Sequence, residues 1–122
     1  MAQKILIVED EEALAASLEL KLEHTGYHVV RAHNGREALD ILDKEKIDIV
    51  LLDLVMPEMN GFETLEELKR RGNRVPVIVT TNLSQGEDLQ KAKGLGAVDY
   101  IVKADTPLKV IVARIQEELA DR

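Results

Sequence analysis

The chain has 122 residues, of which 45% are hydrophobic, 32% charged and 2% aromatic; its formal net charge is −7 and it has no cysteine. Disulfides, thiolate nucleophiles and zinc–thiolate centres are therefore excluded. An acidic chain with few aromatic rings is unsuited to nucleic acid, and no apolar stretch is long enough for a membrane span, so we expect neither partner. The length predicts one domain over residues 1–122, and we expect it to be cytoplasmic.

Short runs rich in valine and isoleucine alternate with segments of helical spacing along the chain. Such runs are typical of strands buried on both faces of a parallel sheet. In chain order the sequence predicts strand 4–8, helix 11–25, strand 28–31, helix 36–43, strand 47–52, helix 62–71, a strand opened by Pro76, a helix from Ser84 to about residue 94, strand 98–102 and a final helix opened by Thr106 and Pro107. This alternation indicates a doubly wound α/β fold with helices on both faces of the sheet.

Polar residues before three of these helices are predicted to cap them. Asn34 is followed three residues later by Glu37, and Ser84 by Glu87, which is the spacing of a capping box. Thr106 precedes Pro107 as a cap residue precedes the first helical turn. The fourth helix has few large apolar residues, so we expect it to pack loosely or to offer a surface to a partner.

Four of the predicted strands run directly into polar residues. In a parallel sheet these residues gather at one edge, which is where open α/β folds bind their ligands. They are Glu9 and Asp10 after the first strand, Asp53 after the third, Thr80 and Thr81 at the end of the fourth, and Lys103 after the fifth. Carboxylates, a hydroxyl and an ammonium group at one edge indicate a reaction site.

The charges of these residues favour a bound metal ion. Glu9, Asp10 and Asp53 are acidic and only Lys103 is basic, which leaves a surplus of negative charge. Like charges about 4 Å apart repel by roughly 4 kcal/mol at an effective dielectric constant near 20. A divalent cation would cancel the surplus, and a small set of hard oxygen ligands suits Mg²⁺, with Mn²⁺ as a substitute.

Asp53 is the best candidate for a nucleophile, because it ends the most buried strand and should be the most fixed in position. A carboxylate can attack a phosphoryl group as a covalent catalyst. Lys103 would neutralise phosphoryl oxygens as a point charge, and Thr81 would donate a hydrogen bond to the phosphorylated form. The neighbouring Thr80 leaves the choice between the two hydroxyls open.

Four motifs together resemble the receiver domain of two-component response regulators, of the chemotaxis-receiver type. In chain order they read ILIVEDE, LLDLVMPEMNG, PVIVTT and GAVDYIVK. The resemblance extends over nearly the whole chain, and it implies a flavodoxin-like sheet with the strand order 2-1-3-4-5. It also implies a domain that is not an enzyme in the usual sense, since it would catalyse only its own phosphorylation and dephosphorylation.

The resemblance also implies roles for individual residues around Asp53. Asp53 would accept a phosphoryl group from a histidine of a sensor kinase or a phosphotransfer protein, with Lys103 in contact with the phosphate. Glu9, Asp10 and Asp53 would bind Mg²⁺, and the backbone carbonyl of Val55 would complete the protein ligands.

The same resemblance implies a switch. Thr81 would be the switch hydroxyl and Tyr100 the aromatic residue whose rotamer changes with it. Their coupling would alter the face formed by the fourth helix, the fifth strand and the last helix. An output domain or a second copy of the chain would bind that face.

Some positions depart from the commonest receiver pattern. Ala104 follows the lysine where proline is usual, and we expect the preceding peptide bond to be trans. Asn82 follows Thr81 in place of a small residue and could crowd the entry of the phosphodonor or make a new hydrogen bond. Val55 and Leu83 are apolar where polar residues are common, and we expect them to hinder attacking water and to lengthen the life of the phosphoryl group.

Three other functions fit the sequence less well. A pseudo-receiver would keep the fold and bind partners without phosphorylation, but the complete set of acids, hydroxyl and lysine argues against it. A flavin protein would need a phosphate-binding loop where residues 9–12 are all acidic, and an aspartate-nucleophile phosphatase would need an acid where Val55 stands. The chain could be a free-standing receiver or part of a longer regulator with an output domain.

Overall fold

A five-stranded parallel sheet forms the centre of the computed structural model, which describes residues 2–82 and 86–122. Its strands are β1 (Lys4–Val8), β2 (His28–Ala32), β3 (Ile49–Leu52), β4 (Val77–Thr81) and β5 (Asp99–Val102). They lie in the order β2-β1-β3-β4-β5, which confirms the order that the resemblance implied. Because the order reverses between β1 and β3, a crevice is expected at their carboxyl ends.

The helices cover both faces of this sheet, as the doubly wound pattern predicted. They are α1 (Glu12–Thr25), α2 (Gly35–Lys44), α3 (Gly61–Arg70), α4 (Gly86–Gly94) and α5 (Leu108–Ala120), with a 3-10 turn (Lys103–Asp105) before α5. Buried side chains of α1 and α5 pack on one face, and those of α2, α3 and α4 pack on the other. The fold is thus a single-sheet flavodoxin-like α/β architecture.

The third strand is central and fully buried, which confirms the expectation from its apolar sequence. β3 pairs with β1 on one side and with β4 on the other. Ile49 and Leu51 belong to the core cluster beneath α1 and α5, whereas Val50 and Leu52 belong to the opposite cluster. This alternation is the period of two of a strand that is covered on both faces.

Three strands begin later than predicted, and β5 does so by one residue, at Asp99 rather than at residue 98. β3 begins at Ile49 rather than at residue 47, because Asp48 binds the start of β1 with its carboxylate, which accepts from the backbone N–H of Lys4 at 2.7 Å. β4 begins at Val77 rather than at Pro76, since proline has no N–H for the ladder. The carbonyl of Pro76 still accepts a hydrogen bond from the Val50 N–H at 2.9 Å.

The predicted helix caps are only partly correct. Asn34 does cap α2, with its side chain accepting from the Glu37 N–H at 2.9 Å. The Glu37 carboxylate accepts from the His33 N–H at 3.1 Å rather than from that of Asn34, so the capping box is incomplete. Ser84 lies outside the described residues.

Thr106 was predicted to cap α5, and this prediction is wrong. Its hydroxyl donates to the carbonyl of Val102 at 2.8 Å, and Pro107 occupies the cap position without a side-chain hydrogen bond. A complete capping box occurs instead at α3, where Asn60 and Glu63 exchange hydrogen bonds of 2.9 and 3.0 Å. Asn60 and Glu63 have the capping-box spacing in the sequence, so this cap is one that the sequence analysis missed.

The start of α3 lies so close to β3 that only glycine fits at residue 61. A Cβ atom at Gly61 would lie 2.4 Å from the Asp53 carbonyl oxygen and 2.7 Å from the Leu54 Cα. Both neighbours are backbone atoms and cannot move aside cheaply. The close approach therefore fixes the backbone of Asp53 against the first turn of α3.

We expect the substitution Gly61→Ala to lower the free energy of unfolding by about 1–3 kcal/mol, the usual cost of overpacking. Urea unfolding measures the loss. Gly94→Ala is the matched control, because a Cβ there meets nothing within 4 Å and alanine favours the helix. Equal stability of the two variants would show that the backbone at Asp53 is not tightly held.

Candidate functional site

The ends of β1 and β3 bring two buried carboxylates to the same edge of the sheet. Glu9 follows β1 and is 4% exposed, and Asp53 follows β3 and is 3% exposed. The Asp53 N–H donates to the carbonyl of Val8 at 3.0 Å, which extends the pairing of the two strands to their ends. Asp10, the next residue along the chain, lies exposed at the mouth of this edge.

Lys103 connects these carboxylates from the far side of β4. Its Nζ lies 3.0 Å from Glu9 Oε1 and 3.0 Å from Asp53 Oδ2. The lysine side chain is 10% exposed, so the three groups form a buried ion cluster. Glu11 adds a longer contact of 3.4 Å from the rim.

Burial and the charge of Asp53 raise the pKa of Glu9 to about 7. Burial alone would lower the pKa of Lys103, but hydrogen bonds to Asp53 and Glu9 and the charges of both more than offset it, and its pKa is raised. Lys103 is therefore a cation at every physiological pH. The raised pKa of Glu9 reflects first its burial and second the charge of Asp53, which the contacts of Lys103 only partly offset.

The three acids have the geometry and chemistry of a divalent-cation site. One carboxylate oxygen from each of Glu9, Asp10 and Asp53 lies within 4.8 Å of the others. All three donors are hard oxygens, two of them are buried, and their surplus charge is what a dication offsets. The residues present therefore fit Mg²⁺.

Thr81 and Tyr100 lie on the same face of the sheet. Thr81 ends β4 with no exposed surface and pairs with Val102, while Tyr100 pairs with Val79 two residues earlier. Thr80 points to the opposite face, because side chains alternate along a strand. This alternation favours Thr81 over Thr80 as the partner of Tyr100, although the switch roles of both residues stay a prediction.

Tyr100 is half-buried against the core cluster that includes Ala92 of α4. Burial and the charge of Asp88, also on α4, raise the pKa of the Tyr100 phenol. Of the residues described in α4, Ala92 alone is buried. The light packing that the sequence predicted for this helix is confirmed, and Tyr100 lies where α4 meets β5.

Val55 contacts the carboxylate of Asp53 through its backbone. Its N–H donates to Asp53 Oδ1 at 3.2 Å, and the residue is 56% exposed. The role of its carbonyl as a metal ligand stays a prediction. Leu83, the other apolar residue expected near the site, lies outside the described residues.

Asn82 and Ala104, the two other residues that depart from the receiver pattern, contact each other. No cis peptide bond occurs in the described residues, so the bond before Ala104 is trans, as expected. The Ala104 N–H donates to Asn82 Oδ1 at 3.1 Å. Of the two effects considered for Asn82, the structure contains the new hydrogen bond.

Sequence reasoning missed one residue at the site. The sequence predicts residue 11 only as the start of helix 11–25, yet the Glu11 N–H donates to Glu9 Oε2 at 3.1 Å and its carboxylate lies 3.4 Å from Lys103 Nζ. The only signal was its position two residues after Glu9, which many acids before a helix share. The hydrogen bond from the Glu11 N–H helps to fix the orientation of the Glu9 carboxylate.

A doubly wound parallel sheet with acids and a lysine at its carboxyl edge defines a class of α/β proteins that bind charged ligands at this edge. The family model described as "Response regulator receiver domain" matches residues 5–116. The chain therefore belongs to the receiver domain family of two-component response regulators. Receiver domains typically bind Mg²⁺, and the cluster of Glu9, Asp10 and Asp53 could hold such an ion.

Individual relatives agree with this family. The chain is 41% identical over 117 residues to "Probable transcriptional regulator ycf27" of Porphyridium aerugineum, covering 96% of this chain and 48% of that protein. It is 37% identical over 121 residues to "Regulatory protein VanRc" of Enterococcus gallinarum, covering 98% and 51%. The chain thus spans about half the length of these curated relatives.

A solved structure gives the same result for the fold. The receiver domain protein (CheY-like) from Methanospirillum hungatei JF-1 superposes with a TM-score of 0.92 and is 29% identical, with 99% of this chain and 96% of that chain covered. None of the helices within residues 2–82 and 86–122 combines the length and apolar character that crossing a bilayer requires.

Proposed function

We propose that the domain accepts a phosphoryl group on Asp53 from a histidine of a sensor kinase or a phosphotransfer protein. The observation that carries this proposal is the position of the Asp53 carboxylate, which is buried between the Lys103 ammonium and two further acids at the carboxyl edge of the sheet. A carboxylate held in this way is fixed in orientation and faces a cation that remains charged.

In the proposed reaction a carboxylate oxygen of Asp53 attacks phosphorus, and the bond from phosphorus to the donor imidazole nitrogen breaks. The electron pair of that bond returns to the imidazole, and an acyl phosphate forms on Asp53. The Lys103 ammonium lies 3.0 Å from Asp53 Oδ2. After transfer it would shift to contact an oxygen of the phosphoryl group. The Val55 N–H would hold the other carboxylate oxygen.

Glu9, Asp10 and Asp53 would hold Mg²⁺, or Mn²⁺ in its place, together with the Val55 carbonyl. When bound, the ion would withdraw charge from the phosphoryl oxygens and offset the carboxylates. Glu9 must lose its proton to act as a ligand, and its pKa of about 7 lies close to physiological pH.

Phosphorylation would then change the surface formed by α4, β5 and α5. The Thr81 hydroxyl would donate a hydrogen bond to the phosphoryl group, and the Tyr100 side chain would move into the space that Thr81 leaves. The shared face of these residues and the light packing of α4 support this coupling. An output domain or a second copy of the chain would bind the altered surface.

The proposed receiver has a stated length and a stated cellular compartment. Residues 1–122 would form one receiver that acts in the cytoplasm and does not contact nucleic acid or membrane itself. It would catalyse only its own phosphorylation and dephosphorylation. The names of the curated relatives suggest that the domain controls transcription through an output domain of a longer protein.

Acetyl phosphate and intact-mass measurement test the proposal without a kinase. We expect wild type to gain one phosphoryl group with Mg²⁺ or Mn²⁺ and none with EDTA. Asp53→Asn should gain none, because the amide is not a nucleophile. Asp43→Asn is the matched control, since Asp43 is an exposed acid paired with Arg71. Wild type that stays unmodified would contradict the proposal and favour the pseudo-receiver.

Replacement of Val55 by asparagine should shorten the life of the phosphoryl group several-fold. A valine 56% exposed beside Asp53 offers no hydrogen bond to an attacking water, whereas an amide does. The decay of the phosphorylated mass after removal of acetyl phosphate gives the rate. Leu20→Asn, at a residue 70% exposed on α1, controls for a polar substitution elsewhere. An unchanged decay in Val55→Asn would contradict the expected shielding.

A further inference from the structure

One side chain joins the two loops that carry the expected hydroxyl and lysine. Asn82 directly follows Thr81, and Ala104 directly follows Lys103. The Asn82 Oδ1 accepts a hydrogen bond of 3.1 Å from the Ala104 N–H. The β4–β5 ladder ends at the pair of Thr81 and Val102, so this bond extends the connection beyond the last ladder pair.

The bond depends on both residue types. A proline at residue 104 would have no N–H to donate, and a small apolar residue at 82 would have no acceptor. Two departures from the commonest receiver pattern, on separate loops, thus combine in one contact. With only one of the two departures the hydrogen bond could not form.

The turn that carries Lys103 is held from two sides. On its C-terminal side the Thr106 hydroxyl donates to the Val102 carbonyl at 2.8 Å, and the Thr106 N–H donates to the Lys103 carbonyl at 3.3 Å. Across the sheet edge, the Asn82–Ala104 hydrogen bond holds the same turn against the end of β4. The three carboxylates follow β1 and β3, two elements that this bond does not join.

We infer that Asn82 is a positioning residue for phosphoryl transfer. Through the Asn82–Ala104 hydrogen bond it keeps the Lys103 ammonium and the Thr81 hydroxyl at the separation that an incoming phosphoryl group requires. This inference rests on the proposed function. It predicts a defect in phosphoryl transfer that leaves metal binding unchanged.

The substitution Asn82→Ala should slow phosphorylation by acetyl phosphate about fivefold, the factor that one ordinary hydrogen bond contributes. The Mg²⁺ affinity, measured by calorimetric titration, should not change. Ala104→Pro removes the donor and should cause a similar loss, while Ala104→Ser keeps the N–H and the rate. The double variant Asn82→Ala/Ala104→Pro should be no slower than the slower single variant, because both remove the same bond.

Asn73→Ala is the matched control for a structural effect. Asn73 Oδ1 accepts from the Val75 N–H at 3.0 Å in an exposed loop at the opposite end of β4. Its loss should lower the urea midpoint about as much as Asn82→Ala and leave the phosphorylation rate at the wild-type value. A similar slowing in Asn73→Ala would mean that general stability sets the rate, and the inference would fail.

Amide hydrogen exchange tests the bond separately from the reaction. The Ala104 N–H should exchange slowly in wild type and faster in Asn82→Ala. Suppose that wild type accepts phosphoryl and that Asn82→Ala has the same phosphorylation rate and the same protection of the Ala104 N–H. This inference would then fail, while the proposed function would stand. Faster phosphorylation of Asn82→Ala would also overturn it, because Asn82 would then obstruct the donor. Wild type that never accepts phosphoryl would overturn the proposed function and this inference with it.

Discussion

Lys103→Met is expected to destabilise the metal-free domain at pH 8 by about 3 kcal/mol or more, which is the usual cost of removing one partner from a buried ion pair. Methionine keeps much of the apolar stem, so the loss reports the charge. Glu9 and Asp53 are 4% and 3% exposed, and each lies 3.0 Å from the ammonium group. Without Lys103, two buried carboxylates would face each other with no counter-charge.

Two conditions should reduce this loss. At pH 5 Glu9 carries a proton, because its pKa is about 7 even beside Lys103, and only one buried charge then lacks a partner. Mg²⁺ at pH 8 should also restore stability, since a ligand that binds only the folded state stabilises it by mass action. Urea unfolding at both pH values, with EDTA or Mg²⁺, measures these differences.

Lys4→Met is the control for Lys103→Met. The Lys4 ammonium also pairs with a carboxylate at 3.0 Å, that of Glu45, but the two side chains are 31% and 40% exposed. Surface pairs contribute about 0–1 kcal/mol, so this variant should lose little at either pH. If Lys103→Met lost no more stability than Lys4→Met at pH 8, the ion cluster would not be buried in solution as it is in this structure.

The positions of the acids at the edge of the sheet could be predicted because a parallel sheet leaves few alternatives. An apolar run that ends at Asp53 is a buried strand, and the end of every such strand lies at the same edge. Glu9 and Asp10 therefore had to lie near Asp53, and the structure places their oxygens within 4.8 Å of one another. The same argument places Lys103 at this edge, because it directly follows β5.

Contacts between loops could not be predicted in this way. The Asn82–Ala104 hydrogen bond joins residues 22 apart, and it depends on the register of β4 and β5 and on the 3-10 turn after β5. Thr106 was assigned to α5 because the pattern of threonine before proline is local, whereas its hydroxyl binds backward to Val102. Local patterns do not show which of two neighbouring backbone groups a short polar side chain will bind.

The protonation of Glu9 also required the structure. From the sequence, Glu9 and Asp10 are two adjacent acids, each a possible metal ligand. The structure buries Glu9 and leaves Asp10 exposed, and burial is the main cause of the raised pKa of Glu9. The two residues should therefore respond differently to pH, although they were predicted as equivalent ligands.

The metal-free domain is expected to lose stability as pH rises from 5 to 8, and Glu9→Gln should remove most of that loss. The pKa of Glu9 is about 7 in the folded protein, against 4.5 in the unfolded chain. Between these values the folded state holds a proton that the unfolded state has released, so stability falls as pH rises. The full effect amounts to about 3 kcal/mol at 1.36 kcal/mol per pKa unit, and part of it falls below pH 5.

The difference between wild type and Glu9→Gln isolates this residue, because other titrating groups are common to both proteins. Glu67→Gln is the control: Arg70 and Arg71 lower the pKa of Glu67 to about 2, so it stays charged from pH 5 to 8 in both states. Its loss should leave the pH slope unchanged. Saturating Mg²⁺ should offset the loss that wild type has accumulated by pH 8, because the ion binds the carboxylate from which Glu9 has lost its proton. Parallel slopes for wild type and Glu9→Gln in EDTA would contradict the raised pKa of Glu9, and with it the burial of this carboxyl beside Asp53 in solution.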